Sequence, residues 1–185
     1  MQSNALAALV RSTLLAGLTD KGSAYADVKV RQVYQPSTVG TPSAPQITMQ
    51  FIGSYRVGAL GRKYSSAVNP DADMIGTMLQ WWTTTIQIGA TARRNPEDPN
   101  FLMLPSAMDI CKVASDILQS DKGLTALAAQ QVRPLRIADI RMVQWVNESD
   151  QYEAWPNFDL VLVYPETTQT TTPPVVTFEP VTGRV

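Results

Sequence analysis

The side chains of this chain that could do chemistry are few and widely separated. Histidine is absent, and Cys111 is the single cysteine. Without imidazole, the commonest general base and metal ligand is missing, and the Ser-His-Asp and Cys-His nucleophile systems are closed. One thiol forms no intramolecular disulfide, which fits a reducing compartment. The carboxylates that could work in pairs are Asp71 with Asp73 and Glu97 with Asp98. Asp71-Ala72-Asp73 starts like a calcium loop but lacks the later oxygen ligands and the closing glutamate. After Asn69-Pro70 it reads more simply as a turn re-entering a strand. Gly58-Ala59-Leu60-Gly61-Arg62-Lys63 has the wrong glycine spacing for a phosphate loop, and no Lys-Ser/Thr pair opens a helix after it. It reads as a hairpin tip presenting two cations, either plainly solvated or able to dock on an acidic neighbour. Arg93-Arg94 with Glu97-Asp98 gives a loop of mixed charge, worth less than ~1 kcal/mol locally unless it forms an intersubunit strip.

No metal, cofactor or catalytic site is therefore expected, and the remaining signals concern contact with other proteins. Only 17% of the 185 residues are charged against 44% hydrophobic, where about 25% charged is usual. Surface so poor in charge is most often covered by association, although a large sheet core in a monomer would also use it. The net charge of −1 gives no field that attracts nucleic acid or an anionic membrane. No apolar run reaches the ~18 residues of a membrane span, and Arg11, Ser12 and Thr13 interrupt any signal-peptide core. The chain is expected to be soluble and unprocessed.

The elements that must position these residues follow from periodicity. Ser3 or Asn4 caps a helix to about Leu18, with Leu6, Leu9, Val10, Leu14 and Leu18 on one face. Asp27–Tyr34 alternates as a strand, and Gln35–Pro45 is a proline-rich loop. Ile47, Met49, Phe51, Gly53 and Tyr55 line one face of a second strand. Gly58–Asp73 is a polar connection, and Met74–Ala90 a long third strand with Met74, Met78, Trp82, Ile86 and Ile88 on one face. Thr91–Asn100 is a loop. Pro105 opens a helix to about Ser120, with Ala107, Met108, Cys111, Ala114 and Leu118 in its buried stripe, and a short helix spans Leu124–Gln131.

The packed pattern closes with a hairpin of Ile137–Val146 and Tyr152–Tyr164. Tyr152, Ala154, Phe158, Leu160, Leu162 and Tyr164 share one face of its second strand. Trp145 and Trp155 fall opposite Phe158, provided Pro156 inserts no bulge. Adjacent Trp81 and Trp82 must point to opposite faces, so one meets the helices and the other meets solvent or a partner. The fold expected is α+β: a mainly antiparallel sheet of about five strands with helices on one face. Residues 1–164 form that domain, and 165–185 an extended Thr/Pro-rich C-terminal arm. Within the arm, Val175-Val176-Thr177-Phe178 has strand character and suits addition to a neighbour's sheet edge.

The element order, with LAALVRSTLLAGL (Leu6–Leu18), PQITMQFIG (Pro45–Gly53) and RMVQWVNESDQYEAWPNFDLVLVY (Arg141–Tyr164), resembles the bacteriophage tail terminator, or neck terminator, proteins. The resemblance covers about nine-tenths of the chain. It implies a non-enzymatic structural protein of the virion, assembled in the host cytoplasm. By the same resemblance, a ring of identical subunits, a hexamer, closes the head-proximal end of the tail. That ring would stop tube polymerisation and touch the tail tube, any sheath, and the head-side connector proteins. Interface candidates are Arg62, Lys63, Arg93, Arg94, Trp81, Val175, Val176 and Phe178. Another neck component, a head-completion or stopper protein, is the alternative within that setting. Outside it stand a small carboxylate enzyme using Asp71, Asp73, Glu97 and Asp98, and a ligand-binding module presenting its tryptophans.

Overall fold

The computed structural model describes residues 3–33, 44–65, 74–92, 104–146 and 152–172. Three helices, α1 (Ser3–Asp20), α2 (Ala107–Gln119) and α3 (Asp121–Ala128), accompany a six-stranded sheet. Its strands are β1 (Lys29–Gln32), β2 (Gln46–Ser65), β3 (Met74–Thr91), β4 (Arg133–Ile137), β5 (Arg141–Val146) and β6 (Tyr152–Thr172). The order is β1-β2-β3-β6-β4, with β5 also on β6. Only β1 with β2 is parallel; the other pairings are antiparallel. The α+β class is as expected, with one strand more than anticipated.

The helices and one end of the sheet share a core. Leu6, Leu14, Ile47, Ile86, Ile110, Phe158 and Leu160 are among its fully buried side chains. Apart from Ile110, these positions come from the predicted helical stripes and from alternate residues of the strands; on α2 the stripe takes in Ile110, whereas Ala107 and Met108 are only half-buried. α1 and α2 approach closely because Gly17 has no side chain: a Cβ there would lie 2.3 Å from Ile117 Cγ2. Ser106 starts α2 with a capping box, its Oγ accepting from the Asp109 amide at 3.1 Å while its own amide donates to Asp109 Oδ2 at 2.9 Å. Pro105 therefore stands one residue ahead of the cap and does not open the helix. Arg11 Nε donates to the Val30 carbonyl at 3.1 Å and ties α1 to β1.

Several expectations need correction. Gly58–Lys63 is not a hairpin tip: β2 continues through it to Ser65, with Arg62 opposite Met78 and Lys63 opposite Thr77. The alternation of β2 breaks at Ile52, where a bulge shifts the register between Phe51 and Gly53. Gly53 and Tyr55 consequently face away from the side occupied by Ile47 and Met49. The first half of the closing hairpin is two short strands, β4 and β5, each paired to a different part of β6. Pro156 introduces no register shift on β6. β6 itself runs past Tyr164 through Pro165 to Thr172, so the expected division at 164/165 falls inside a strand. α3 begins at Asp121 rather than Leu124 because Ser120 caps it, accepting from the Gly123 amide.

These extensions create the salient shape. β2, β3 and β6 hold 20, 18 and 21 residues, about 60 Å of strand at ~3.3 Å per residue. The helices cover only one end. From Ile52 to Ser65 every residue of β2 is exposed. The far halves of the three strands thus form a blade that stands clear of the core.

Candidate assembly surface

The blade has two faces. Pairing Tyr55 with Thr83, Val57 with Trp81, and Gly61 with Leu79 puts these residues on the side opposite the helices, the outer face. On β6 the same face carries Val163 opposite Thr83, and Pro165 opposite Trp81. Tyr55, Val57, Trp81, Leu79 and Ile75 make an exposed apolar stripe along it. Eight of the thirteen large hydrophobic residues exposed among the described residues lie on the blade, from Ile52 to Tyr64 and from Ile75 to Trp81. So uneven a distribution makes the blade the candidate contact surface of the described residues.

Trp81 and Trp82 divide as expected. Trp81 is 43% exposed on the outer face. Trp82 is opposite Tyr164 on the helix side and packs against the core. The Arg56 guanidinium sits 5.2 Å from the centre of its ring, a cation–π contact. The indole Nε1 of Trp82 and the hydroxyl of Thr83 are buried without a hydrogen-bond partner, which is costly for each group.

Arg62 and Lys63 are not brought together. As neighbours on one strand they point to opposite faces: Arg62 shares the inner side with Met78, and Lys63 the outer side with Thr77. Arg93, Arg94, Val175, Val176 and Phe178 lie outside the described residues, as do Asp71, Asp73, Glu97 and Asp98.

One feature of the outer face was not anticipated. Trp155 lies over Gly89, where a Cβ would come within 2.1 Å of the indole Nε1. Beneath it Asn157 is only 1% exposed. Its Nδ2 donates to the Trp155 carbonyl at 3.0 Å, and its Oδ1 accepts from Gln87 Nε2 at 3.3 Å. Beside it Arg141 pairs with Asp159 at 2.8 Å. The near end of the outer face is therefore closed by its own side chains, and the blade end is not. A lone glycine in the β-branched run of β3 was the available signal for this close approach.

The described residues hold no group of three or more potential metal-ligating side chains. Among the described residues no helix is long and apolar enough to cross a membrane. Burial pushes the Cys111 thiol up to about 12, so it stays protonated and unreactive at neutral pH. A cleft of about 260 Å³ between α1, α2 and α3 is lined by Gly17, Ile117 and Ser120 and crossed by the exposed Asp20–Lys122 ion pair. Its other charged lining residues are Lys21 and Asp116.

A protein-family model described as E217 gateway protein gp29 matches residues 5–174. No curated protein matches the chain. Among solved structures, the sheath/tube terminator of the extracellular contractile injection system PVC, in its extended state, is similar at 10% identity and a TM-score of 0.43. The likeness covers 96% of this chain and 63% of that one, so this chain spans under two thirds of its length.

Proposed function

From the premise that this chain belongs to the E217 gateway protein gp29 family, a family of phage head-to-tail connectors, we propose that it forms a closed ring at the neck of a tailed phage. It is a structural protein with a tail terminator or head-tail connector role in a phage-like particle. The observation that carries this is the family match across residues 5–174, which takes in the whole core and all three blade strands. Six copies arranged head to tail close when the rotation per subunit divides a full turn. One face of such a ring ends the tail tube and any sheath, and the other meets the head-side connector proteins. Assembly takes place in the host cytoplasm, and the product is part of the virion. No reaction belongs to this role.

The structure supports the reading through the blade. An apolar stripe held away from the core leaves much of its surface wet in the isolated subunit, yet is placed to bury it against another chain. Trp81 is the anchor of that stripe, since tryptophan is enriched among residues that dominate binding. Lys63 on the outer face and Arg62 on the inner one then contact different neighbours. Class averages of the purified chain by negative-stain electron microscopy should show rings at micromolar concentration. Solitary particles throughout that range would overturn the ring.

A further inference from the structure

The net charge of −1 hides an uneven distribution over the sheet. On β1 the buried Val30 points towards the helices, so Lys29 and Arg31 point to the outer face. On β4, Arg133 and Arg136 stand opposite Val163 and Val161, the outward neighbours of the buried Leu162 and Leu160. Arg141 of β5 stands opposite Asn157 on the same side. All five cations are exposed. At the covered end of the sheet, Asp159 is the one carboxylate among the described side chains on the strand positions of this face, and Arg141 holds it at 2.8 Å. Among the described residues no carboxylate pairs with Lys29, Arg31, Arg133 or Arg136.

The register spreads these cations around a polar centre. One row of paired positions crosses the sheet from Arg31 through Thr48, Gly89 and Asn157 to Arg141. Four strand spacings of ~4.8 Å separate the two arginines by about 19 Å. Arg136 and Arg133 lie further along β6, at Val161 and Val163, about 13 and 20 Å from that row. Between them the outward positions of β2 and β3 include Gln50, Gln87 and Thr85. The exposed apolar residues here, Leu135 and Val143, stand on β4 and β5 at the margin. A contact between proteins has an apolar centre and a polar rim, and this surface has the reverse. Unpaired arginines among amide and hydroxyl side chains are the set that holds phosphates.

We infer that the covered end of the outer face binds the phosphate backbone of double-stranded DNA without reading its sequence. Single strands are held by aromatic side chains on which bases stack. The tryptophan on this face, Trp155, is already committed to Gly89. RNA duplexes are recognised through 2′-hydroxyls across the minor groove, and a broad sheet presents nothing that enters a groove. The whole-chain charge concealed this surface, because attraction at contact depends on the face presented and fades within about 10 Å in salt. Neither the blade nor a second copy is required for it.

The test is fluorescence anisotropy with the full-length chain and a labelled mixed-sequence DNA duplex of about 25 base pairs, at about 50 to 200 mM salt. Micromolar binding is expected at the low end. Three to five phosphate contacts give a slope of about −3 to −4.5 in log affinity against log salt. Arg31→Glu/Arg136→Glu should weaken binding at least ~20-fold, and Lys21→Glu/Lys112→Glu, the same charge change on the helix side, less than ~3-fold. Should the first variant misfold, Arg31→Gln/Arg136→Gln replaces it, with at least a ~5-fold loss. No binding at low salt, a slope shallower than about −2, or equal losses from the two faces would overturn the inference. So would tighter binding of an RNA duplex of the same sequence. Displacement of the DNA by poly-glutamate at equal charge would assign the face to an acidic protein instead and overturn it too. Mass photometry reads the ring separately. DNA binding by chains that form no rings would sink the ring alone, and rings that bind no DNA would sink this inference alone.

Discussion

Replacing Trp81 with threonine separates what the blade does for the fold from what it does for assembly. Trp81 keeps 43% of its surface exposed, about 110 Å² of a side chain near ~250 Å². Covering that area in a subunit contact at ~25 cal/mol/Å² contributes about 2.7 kcal/mol, or roughly 100-fold in the association constant. Incomplete burial and the ordering of neighbours lower this, so a loss of ~10- to 100-fold is expected. The covered remainder, ~140 Å², costs the isolated subunit at most ~3.5 kcal/mol by the same area rule. Threonine keeps the β-branched preference of the strand. Association is measured by mass photometry across a dilution series, at a temperature where circular dichroism shows the variant folded. Leu124→Ser is the control, because Leu124 is comparably exposed at 37% but lies on α3, away from the blade. If folded Trp81→Thr chains assemble with unchanged affinity, or if Leu124→Ser loses as much, the apolar stripe is not the contact surface.

Single charge reversals should act independently. Lys63→Glu should impair contact through the outer face and Arg62→Glu through the inner one, each with little change in melting temperature; identical assembly defects from the two would contradict their placement on opposite faces. Gly89→Ala should expel the Trp155 indole, because the new Cβ would overlap Nε1 at 2.1 Å. A red shift in tryptophan emission and a loss of about 1–3 kcal/mol are expected by urea unfolding, and unchanged emission would refute the packing. For Cys111, the folded thiol is pushed up to about 12 from an ordinary 9.0, so the unfolded chain ionises first. The associated stability is complete below pH 9 and falls as pH rises towards 12, by at most roughly 1.4 kcal/mol per pH unit. The wild type should lose this relative to Cys111→Ala between pH 9 and 11; parallel curves would show that the thiol is not buried.

The covered half of the fold was legible because its side chains obey a single rule. α1, the near end of β3 and the Phe158–Tyr164 stretch of β6 each bury one face, so their periodicity is visible without knowing the neighbours. The blade breaks that condition. Both of its faces are exposed over much of its length, so selection for alternation is weak, and Gly58-Ala59-Leu60-Gly61 resembles a turn. Pro165 was equally misleading. It reads as the end of a strand, yet β4 has already left β6 at that point, and an edge tolerates a residue with no amide to donate. The bulge at Ile52 had no local signature, since Pro45–Tyr55 alternates smoothly through it. Only the pairing with β3 reveals the shift.

The candidate surface was half visible for a related reason. Low charge content left two readings open, apolar surface for another chain or a large sheet core, and Trp81-Trp82 required that one indole face away from the core. Composition cannot say where such surface collects. That requires knowing that β2, β3 and β6 outrun the helices by several residues each. A sheet extended past its own core has exposed faces, and apolar side chains on them stay wet unless another chain covers them. The helix layer, with its α1–α2 contact at Gly17 and Ile117, completes itself within one chain. The blade does not: every residue of β2 from Ile52 to Ser65 stays exposed in the single chain.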